Sequence, residues 1–320
     1  MKKNIIKDTD VEVTELSFGT SSLGSMPDTY GYEVPKPRAH ETLKRFFKGP
    51  VNMLDTSRNY AMGESEKRIG IAIKANDGWP EKFVLSTKID RNMDTLVLDE
   101  KRTRESFEES LKTLNVDSVD VLFLHDPEYA KDINDITKKG GALDELFKIK
   151  EEGLAKAVGL AMGKIDIMFP ILRNWEFDVI INHNRYTLLN READEMYSYA
   201  HSKNISIFNA APYAGGVLAK GPSNFKKITY QDATEEKLAP AREIEKVCKK
   251  YNVEMGAAAL QFSMKDKRIT STICGVTSVQ SIEKNISWAE TDIPQEFWNE
   301  FLKLPYSSKD PESERVYTPG

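Results

Sequence analysis

Short runs of β-branched and aliphatic residues recur along the chain, and nearly every one is followed by a segment with the period of an amphipathic helix. In segment 103–115, Phe107, Leu111 and Leu114 repeat at i, i+4 and i+7, which places an apolar stripe on one face of the predicted helix. The eight predicted strands are 16–19, 51–55, 83–88, 119–125, 155–161, 177–182, 205–210 and 269–275. The predicted helices are 37–49, 64–76, 103–115, 142–153, 191–204, 235–252 and 278–290.

This alternation predicts parallel strands, because a parallel strand reaches its neighbour through a crossover that is usually a helix. Eight such units most simply close into a (β/α)8 TIM barrel. An open doubly wound sheet is the alternative, but such a sheet usually carries G-x-G-x-x-G after an early strand, and no strand here is followed by that motif. Residues 4–13, NIIKDTDVEV, are predicted to form an N-terminal β-hairpin that plugs the bottom of the barrel.

No Pro/Gly/Ser-rich linker and no low-complexity tract divides the chain, so residues 1–320 are predicted to form a single barrel domain. Interval 211–234 is the one long irregular stretch, and its place after the seventh strand puts it on the C-terminal face, where barrel enzymes keep their chemistry. The tail after Pro305 is polar and is predicted to be loose.

Composition excludes several classes of function. The net charge of −5 and the scattered Lys and Arg residues give no reason to expect nucleic acid as a partner. The first ten residues contain no apolar stretch long enough for a signal peptide, and no later apolar run approaches ~18 residues. We therefore expect a cytoplasmic protein without a membrane role. Cys248 and Cys274 are too few for a disulfide framework and lie far from any His cluster, so no metal site is predicted.

Four ionisable side chains are predicted to meet at the rim of the barrel: Asp55 ends the second strand, Tyr60 follows it, Lys88 ends the third strand and His125 ends the fourth. Each of these residue types is more often structural than catalytic when it stands alone. Together they suit proton transfer, because an ammonium beside a buried phenol lowers its pKa from ~10. We expect Lys88 to supply that charge and Asp55 to keep Lys88 protonated. A neutral His125 would then donate a hydrogen bond to a substrate oxygen.

Several motifs together resemble the aldo-keto reductase superfamily: Gly19-Thr20, LDTSRNYAMGESEKRIG (54–70), LSTK (85–88) and LFLH (122–125). The resemblance spans most of the chain and implies a (β/α)8 barrel that binds a nicotinamide dinucleotide without a Rossmann domain. It matches Asp55, Tyr60, Lys88 and His125 to the family's catalytic Asp, Tyr, Lys and His.

The resemblance also implies that the cofactor's phosphates and adenosine lie near the seventh and eighth strands. There the Gly215-Gly216 pair permits close backbone approach, Lys220 is placed to meet phosphate, and the helix start after Gly275 offers free N–H groups to an anion. Without the resemblance, a glycine loop and an N-cap serine explain these residues equally well. The predicted cofactor contacts are Gly19, Thr20, Asn182, Gly215, Gly216, Lys220, Gly275, Val276, Thr277, Ser281 and Asn285.

The cofactor is expected to be NAD or NADP, and two positions favour NAD. Gly275 and Ser281 stand where NADP-preferring members of the family often carry Lys and Arg, and a 2′-phosphate is best bound by a guanidinium. Lys284 or Arg268 is the alternative source of that charge.

The nicotinamide contacts stay open at the sequence level. Many members of the family have a Ser-Asn pair after the fifth strand, where this chain has Ala161 and Met162. Many also have a stacking Tyr after the seventh strand, where this chain has Ala210, with Tyr213 displaced by three positions.

The segments HDPE (125–128), GLAMG (159–163), NRYTLLN (184–190) and NAAPYAGGVLAKGP (209–222) resemble the branch that contains D-threo-aldose 1-dehydrogenase, also described as L-fucose or galactose dehydrogenase. This implies oxidation of an aldose such as L-fucose or D-arabinose to a lactone, with Tyr60 as general acid/base. Alternatives are a pyridoxal 4-dehydrogenase, a general aldehyde or ketone reductase, and a cofactor-binding regulatory subunit.

The expected partner is therefore a small-molecule sugar or aldehyde, and an oligomer is possible but not indicated. Residues placed to line a sugar site are Trp79, Tyr129, His183, Arg185 and Tyr186. Trp79 precedes the third strand and is expected at the opposite end of the barrel. Arg185 is equally well explained as part of a structural ion pair.

Overall fold

The computed structural model of the chain describes residues 1–315, and eight parallel strands close into a barrel within them. The barrel strands are β3 (Leu16–Gly19), β4 (Met53–Asp55), β5 (Val84–Ile89), β6 (Val119–His125), β7 (Ala155–Met162), β8 (Val179–His183), β9 (Ser206–Ala210) and β12 (Ser271–Gly275). Outside the barrel lie two antiparallel pairs, β1 (Lys3–Ile5) with β2 (Glu12–Thr14), and β10 (Lys227–Ile228) with β11 (Gln231–Asp232). The order around the barrel is β12-β3-β4-β5-β6-β7-β8-β9, so the predicted (β/α)8 barrel is confirmed.

Helices connect the strands and cover the outside of the barrel. They are α1 (Pro27–Tyr30), α2 (Lys36–Phe46), α3 (Glu64–Ala75), α4 (Glu100–Leu114), α5 (Asn134–Thr137), α6 (Ala142–Glu151), α7 (Ile165–Leu172), α8 (Asp194–Ser202), α9 (Val217–Lys220), α10 (Glu235–Lys250), α11 (Met255–Met264), α12 (Val279–Glu290) and α13 (Gln295–Phe301). No helix within residues 1–315 has the length and apolar character needed to cross a membrane.

Helix α4 shows how the local sequence sets the boundaries. The side chain of Asp99 accepts a hydrogen bond from the backbone N–H of Arg102 and caps the first turn, and Asn115 ends the helix in the left-handed conformation. Phe107 and Leu114 are fully buried and Leu111 is partly buried, as the i, i+4, i+7 spacing predicts. The helix therefore packs its apolar stripe against the barrel.

Side chains fill the interior of the barrel, and the N-terminal hairpin closes its lower end. Ile6, Val11 and Val13 of the hairpin are buried in the same apolar cluster as residues of the barrel strands such as Val121 and Phe208. The predicted hairpin is confirmed, and its apolar side chains keep water out of the lower end.

Gly159 on β7 is needed for this packing. A Cβ at this position would lie 2.0 Å from the carbonyl oxygen of Val179 and 2.7 Å from the ring of Phe123. Only glycine lets β7 and β8 pair at this point while Phe123 fills the interior.

Sequence periodicity missed six of these helices. Helices α1, α5 and α9 have only four residues each, which is too short for a periodic signal. The other three were missed for separate physical reasons. Helix α7 contains Pro170, which interrupts the helical pattern. Helix α11 is buried along most of its length, so it lacks the polar face that gives an amphipathic signal. Helix α13 has only seven residues.

Interval 211–234 is folded rather than irregular. It contains a 3-10 turn at Ala214–Gly216, helix α9 and the β10–β11 pair. It lies after β9, on the C-terminal face of the barrel, as expected.

The expectation of a loose tail after Pro305 is wrong for the described part of the chain. Ser307 forms a parallel bridge with Asn190. The carboxylate of Glu312 is buried and accepts hydrogen bonds from Asn184 and Arg185. The polar composition of the tail serves these buried contacts, so the tail crosses the C-terminal face as an ordered segment. Its last residues, 316–320, lie outside the described part.

Candidate active site

A cavity of about 490 Å³ opens at the C-terminal ends of the barrel strands. The predicted catalytic residues all line it: Asp55, Tyr60, Lys88 and His125. They are far apart in sequence, but parallel strands of one barrel all end at the same rim. The pairing register of the strands brings these residues together. Asp55 lies opposite Ser86, two residues before Lys88, and Ile89 lies opposite Leu124, one residue before His125.

A continuous line of hydrogen bonds connects Asp55, Lys88 and Tyr60. The ammonium of Lys88 donates to Asp55 Oδ2 at 2.7 Å and to the hydroxyl of Tyr60 at 2.9 Å. It also donates to the backbone carbonyl of Thr56 at 2.6 Å, and its side chain is only 2% exposed. A buried ammonium with all of its protons engaged is held in one orientation. Lys88 is therefore a fixed positive group beside the phenol.

The loop that carries Tyr60 has a strained backbone. Ala61 and Met62 both adopt a positive φ of 52°, in the left-handed region that residues with a side chain rarely occupy. Gly63 follows with φ 88° and leads into α3. The turn returns the chain sharply after Tyr60, so the phenol stays beside the end of β4.

The pKa of Tyr60 moves in the direction opposite to the expectation. Burial raises it well above 10, and the carboxylate of Asp55 adds to the rise. The expectation of a net lowered pKa is therefore wrong for the chain alone, because burial and Asp55 outweigh the effect of Lys88. The physical reason is that Lys88 is paired with Asp55, so its charge is largely compensated while the phenol is out of water. The chain by itself keeps Tyr60 protonated.

His125 is held by a carboxylate that the sequence reasoning missed. Asp90 follows β5 directly, and the β5–β6 register places it beside His125, with Asp90 Oδ1 2.7 Å from His125 Nδ1. The other oxygen of Asp90 accepts a hydrogen bond from the Ser57 hydroxyl and one from the backbone N–H of Asn59 at 2.9 Å. Asp90 is 1% exposed. An acidic residue directly after the strand that ends near Lys88 was the available signal.

The pKa values of His125 and Asp90 shift in opposite directions. Burial alone would lower the pKa of His125, but the Asp126 and Asp90 carboxylates raise it above its ordinary value. Burial alone would raise the pKa of Asp90, but the charge of His125 and its hydrogen bonds lower it. Asp90 is therefore a carboxylate, and His125 holds its proton up to a higher pH than an ordinary histidine does.

A second carboxylate of the site, that of Asp126, has an unpaired oxygen. Its backbone has a positive φ of 44°, and its side chain lines the cavity. Its Oδ1 is buried, lies 3.6 Å from His125 Nε2, and has no hydrogen-bond partner within residues 1–315. A buried carboxylate oxygen is costly unless it accepts a hydrogen bond. A hydroxyl group of a bound molecule would satisfy it.

The predicted cofactor contacts divide into two groups in the structure. Three of them, Thr20, Asn182 and Val276, do not line the cavity. The hydroxyl of Thr20 donates to the backbone carbonyl of Asp55, and Asn182 donates to the carbonyls of Met162 and Gly163. Val276 is buried. Those that do line the cavity are Gly19, Gly215, Gly216, Lys220, Gly275, Thr277, Ser281 and Asn285.

Gly215 serves the packing of its own loop. A Cβ there would lie 2.7 Å from the backbone nitrogen of Tyr230, and its φ is 73°. The space beside this glycine is therefore filled by protein.

The ammonium of Lys220 lies 4.1 Å from the ring centre of Phe225 and 5.5 Å from that of Tyr32, and partial burial lowers the pKa of Lys220.

The N-terminus of α12 is capped by side chains. Ser278 accepts a hydrogen bond from the N–H of Ser281, while the hydroxyl of Ser281 accepts from the N–H groups of Thr277 and Ser278. The predicted free N–H groups at this helix start are thus partly engaged within the chain. Thr277 and Ser281 still line the cavity.

Neither alternative source of positive charge is unpaired. Arg268 precedes β12 at the opposite end of the barrel and is bound to Asp266 and Asp194. Lys284 lines the cavity, but its ammonium lies 2.6 Å from a carboxylate oxygen of Glu254.

The charges of the cavity are nevertheless arranged along its length. On one side of the barrel, Asp55 ends β4, and Asp90 and Asp126 follow β5 and β6. On the other side, Lys220 lies in α9 after β9, and Lys284 lies in α12 after β12. This polarity fits a long cofactor with a diphosphate at the lysine side and its reactive ring near Tyr60. The residues present therefore fit a nicotinamide dinucleotide.

Within residues 1–315, no group of three His, Cys, Asp or Glu side chains is arranged to hold a metal ion.

Of the residues considered for a sugar site, only His183 lines the cavity. Trp79 packs against Phe46 and Phe47, away from the cavity. Arg185 is bound to carboxylates of the tail. It therefore forms a structural ion pair, which was the alternative to a place in the sugar site. Tyr186 donates to Asp266, and Tyr129 lies near Arg91 and Lys164.

The structure adds Tyr30, Tyr230 and Arg315 to the cavity wall, and no motif indicated these three residues. Tyr30 and Tyr230 line the cavity and pack edge to face, with ring centres 5.7 Å apart, and Arg315 of the tail lies over Tyr230. Tyr213 also lines the cavity and donates a hydrogen bond to Asn285. These side chains come from α1, from loops and from the tail, so only the folded chain brings them together.

Comparison with known proteins gives a consistent result. The sequence model of the aldo/keto reductase family matches residues 15–304. The L-galactose dehydrogenase of Arabidopsis thaliana is 29% identical, with 87% of this chain and 85% of that protein covered. The D-threo-aldose 1-dehydrogenase of a Pseudomonas species is 26% identical, with 91% and 94% covered. The pyridoxal 4-dehydrogenase of Microbacterium luteolum is 25% identical, with 93% and 95% covered.

Among solved structures, the holo form of an aldo-keto reductase from Bacillus halodurans, AKR11C1, superposes with a TM-score of 0.78. The identity is 20%, and the superposition covers 99% of this chain and 100% of that chain. At this identity the likeness concerns the fold.

Proposed function

The chain belongs to the aldo/keto reductase family, and we propose that it oxidises an aldose such as L-fucose or D-arabinose at the anomeric carbon to a lactone, with NAD as the hydride acceptor. The resemblance stated from the motifs is confirmed at the level of the family. The predicted enzyme class is also confirmed, since the family consists of oxidoreductases that use NAD(P). The sugar, the preference for NAD and the roles of the residues are proposals.

The observation that carries the proposal is the hydrogen-bonded line from Asp55 through Lys88 to Tyr60, with His125 beside it. The rings of Tyr60 and His125 meet edge to face with centres 5.8 Å apart. A phenol with a fixed ammonium on one side and an imidazole on the other can exchange a proton with an oxygen between them. Asp55 holds Lys88 in place without touching the reacting atoms.

Tyr60 is the proposed general acid/base. A bound nicotinamide ring supplies the hydride acceptor, and the residues after β9 and β12 would hold the cofactor. In the direction of reduction, the protonated phenol gives its proton to the carbonyl oxygen. In the direction of oxidation, the phenol oxygen takes the proton of the anomeric hydroxyl after it has released its own. Lys88 favours that release because its ammonium stabilises the phenolate.

The unpaired oxygen of Asp126 supports a hydroxylated substrate. An aldose carries hydroxyl groups on the carbons next to the anomeric centre, and one of them would donate to this carboxylate. A simple aldehyde offers no such donor and leaves the oxygen unsatisfied. Two relatives named for sugar oxidation, the L-galactose and D-threo-aldose dehydrogenases, agree with this substrate class.

The lining near β12 supports NAD. Gly275 and Ser281 bring no positive charge to the place where a 2′-phosphate would lie, and Lys284 is already paired with Glu254. A phosphate that lacks an arginine partner gains little binding energy from a screened lysine.

A spectrophotometric screen tests the proposal. Purified protein is mixed with NAD⁺ or NADP⁺ and with L-fucose, D-arabinose, galactose or pyridoxal, and the reduced nicotinamide is followed by its absorbance. We expect turnover of at least one sugar, and faster turnover with NAD⁺ than with NADP⁺. Turnover of pyridoxal alone would make the protein a pyridoxal dehydrogenase, and binding of cofactor without turnover of any compound would favour a regulatory subunit.

A further inference from the structure

The Asp90–His125 pair determines which nitrogen of the imidazole carries a proton. An ionised carboxylate only accepts hydrogen bonds, so the 2.7 Å contact with Asp90 Oδ1 requires a proton on Nδ1 of His125. When His125 is neutral it has no second proton, and Nε2 then presents a lone pair. Within residues 1–315, no group makes a hydrogen bond to Nε2, and the nearest carboxylate, that of Asp126, lies 3.6 Å away.

The position of Asp90 is itself fixed, so this choice of tautomer is built into the fold. Ser57 and the backbone of Asn59 both donate to its second oxygen. The N–H of Asp90 donates to Ser106, and Arg102 donates to its carbonyl. A carboxylate that is held from several directions and buried cannot turn away from the imidazole.

We propose that Asp90 is a positioning residue: it retains the Nδ1 proton of His125, so that Nε2 of the neutral imidazole accepts the proton that Tyr60 must release before sugar oxidation. This inference rests on the proposed function. It gives the chain a means to discharge a phenol that its own surroundings keep protonated.

The proton transfer is balanced as follows. The anomeric hydroxyl, placed between the phenol oxygen of Tyr60 and Nε2 of His125, gives its proton to Nε2 and receives the phenol proton, which leaves a phenolate and an imidazolium. The hydride then leaves the anomeric carbon with two electrons for NAD⁺, while the hydroxyl proton passes to the phenolate oxygen. The products are the lactone, NADH, a neutral Tyr60 and a protonated His125, which returns its proton to water.

The charges around His125 set the pH at which it can accept a proton. Asp90 from the end of β5 and Asp126 from the end of β6 raise its pKa, whereas burial and Lys88 of β5 lower it. Tyr60 after β4 contacts the ring edge to face, and His183 at the end of β8 also faces this site. Oxidation needs the neutral imidazole, so kcat/KM should rise with pH through the pKa of His125.

The first experiment is the pH profile of sugar oxidation in Asp90→Asn. Because the amide of Asn can donate to Nδ1, the proton of neutral His125 moves to Nε2 and the acceptor is lost. We expect the plateau of kcat/KM to fall about 10- to 100-fold. Because one of the carboxylates that raise the pKa is gone, the acid limb should also move to lower pH.

The matched control is Asp120→Asn, which removes a carboxylate at the other end of β6, where Asp120 binds Lys156 and the N–H of Leu85. Its acid limb should stay at the wild-type pH. A lower plateau in Asp90→Asn with an unmoved limb would show a merely structural effect and overturn the proposal. Asp90→Glu keeps a carboxylate and should recover part of the plateau.

The second experiment reads the tautomer without any substrate. The chain has four histidines, so nitrogen NMR of the labelled protein can assign His125 by comparison with His125→Gln. Above the pKa of His125, the wild type should be protonated on Nδ1. A proton on Nε2 would overturn the inference. If the wild type oxidises no sugar but carries its proton on Nδ1, the substrate proposal fails while the role of Asp90 in positioning His125 stands.

Discussion

At the scale of single residues, the site depends on groups whose protonation is set by their neighbours. Tyr60 is kept neutral by burial, Lys88 is fixed by Asp55, and His125 is oriented by Asp90. None of these effects belongs to a residue type alone, because each arises from a contact between strand ends.

The hydroxyl of Tyr60 is the group whose removal should affect turnover most selectively. Tyr60→Phe removes the proton donor and acceptor but keeps the ring, so kcat should fall about 100-fold or more. The dissociation constant of NAD⁺ should change less than about twofold, because the proposed cofactor contacts come from other loops. Steady-state kinetics and fluorescence titration measure the two quantities.

Tyr197→Phe is the control for this prediction. Tyr197 is buried outside the cavity, where its hydroxyl donates to Asn209 at 2.9 Å. Its removal should leave kcat within about twofold, since only a structural hydrogen bond of about 1 kcal/mol is lost. Undiminished sugar oxidation by Tyr60→Phe would refute the role given to Tyr60.

Gly275 allows the cofactor proposal to be tested by a gain of function. A Cβ at this position would meet only the hydroxyl of Ser22 at 3.9 Å, so a longer side chain fits without strain. Gly275→Lys should improve kcat/KM with NADP⁺ about fivefold, the equivalent of about 1 kcal/mol from a partly screened ion pair. The value with NAD⁺ should change little. Gly275→Met, with similar bulk and no charge, should give no such gain.

At the scale of elements, a buried carboxylate links α3 to β5. Glu66 of α3 is fully buried and accepts a hydrogen bond from Thr87 of β5 at 2.6 Å. Burial raises the pKa of Glu66 to about 7. The contact joins the helix after Tyr60 to the strand that carries Lys88, so it helps to align the two halves of the site.

The raised pKa of Glu66 gives the fold a pH-dependent stability. In the unfolded chain this carboxyl ionises near its ordinary pKa of ~4.5. As pH rises from that value to the pKa of about 7 in the folded protein, ionisation therefore favours unfolding. The cost should reach about 3 kcal/mol above pH 7. Glu66→Gln should therefore unfold at higher urea than the wild type at pH 8 and at similar urea at pH 4.5. Equal midpoints at pH 8 would contradict this.

The pattern of apolar residues predicted the ends of the barrel strands to within two residues. The predicted strands 16–19 and 119–125 have the bounds found in β3 and β6, and the other six barrel strands differ by at most two residues at either end. The signal is strong because these strands are short apolar runs between turns. Helix α11 gave no signal, since a helix that is buried on all sides has no polar face.

At the scale of the whole molecule, the tail ties the far end of the chain to the site. Glu312 is only 8% exposed and is bound to Arg185 and Asn184, with Arg315 beside it. Burial alone would raise the pKa of Glu312, but His183, Arg185 and Arg315 lower it. The tail is thus held to the C-terminal face by a buried ionised carboxylate.

Glu312→Gln should loosen this segment. Hydrogen exchange in residues 306–315 should become at least about tenfold faster, because the positive charges around position 312 lose their counter-charge. In the wild type, the same loosening should appear as pH falls through the lowered pKa of Glu312, since a carboxyl with a lowered pKa loses its stabilising effect when it is protonated.

Glu314→Gln is the control for the tail. Glu314 pairs with Lys237 in an exposed contact, with side chains 74% and 56% accessible. Such pairs contribute about 0–1 kcal/mol, so exchange should stay close to the wild type. If both variants loosened the tail equally, the buried carboxylate would not be what holds it.

The sequence by itself determined the alternation of strand and helix, the barrel that follows from it, and the family. These are encoded in local patterns and contiguous motifs, such as the segment around Tyr60, which survive without knowledge of distant contacts. The four residues predicted to be catalytic were found because each ends a strand or follows one, and parallel strands end at one rim.

Only the tertiary structure decided the protonation and pairing of those groups and the composition of the cavity walls. Asp90 acts through a contact with His125 that depends on the register between β5 and β6. Tyr230 and Arg315 reach the cavity from a loop and from the tail, which are far away in sequence. Burial and charge pairing depend on distance in space, and a pKa follows from them. A linear sequence pattern contains neither burial nor distance, so the expected direction of the pKa shift of Tyr60 was wrong and only the fold gave the correct one.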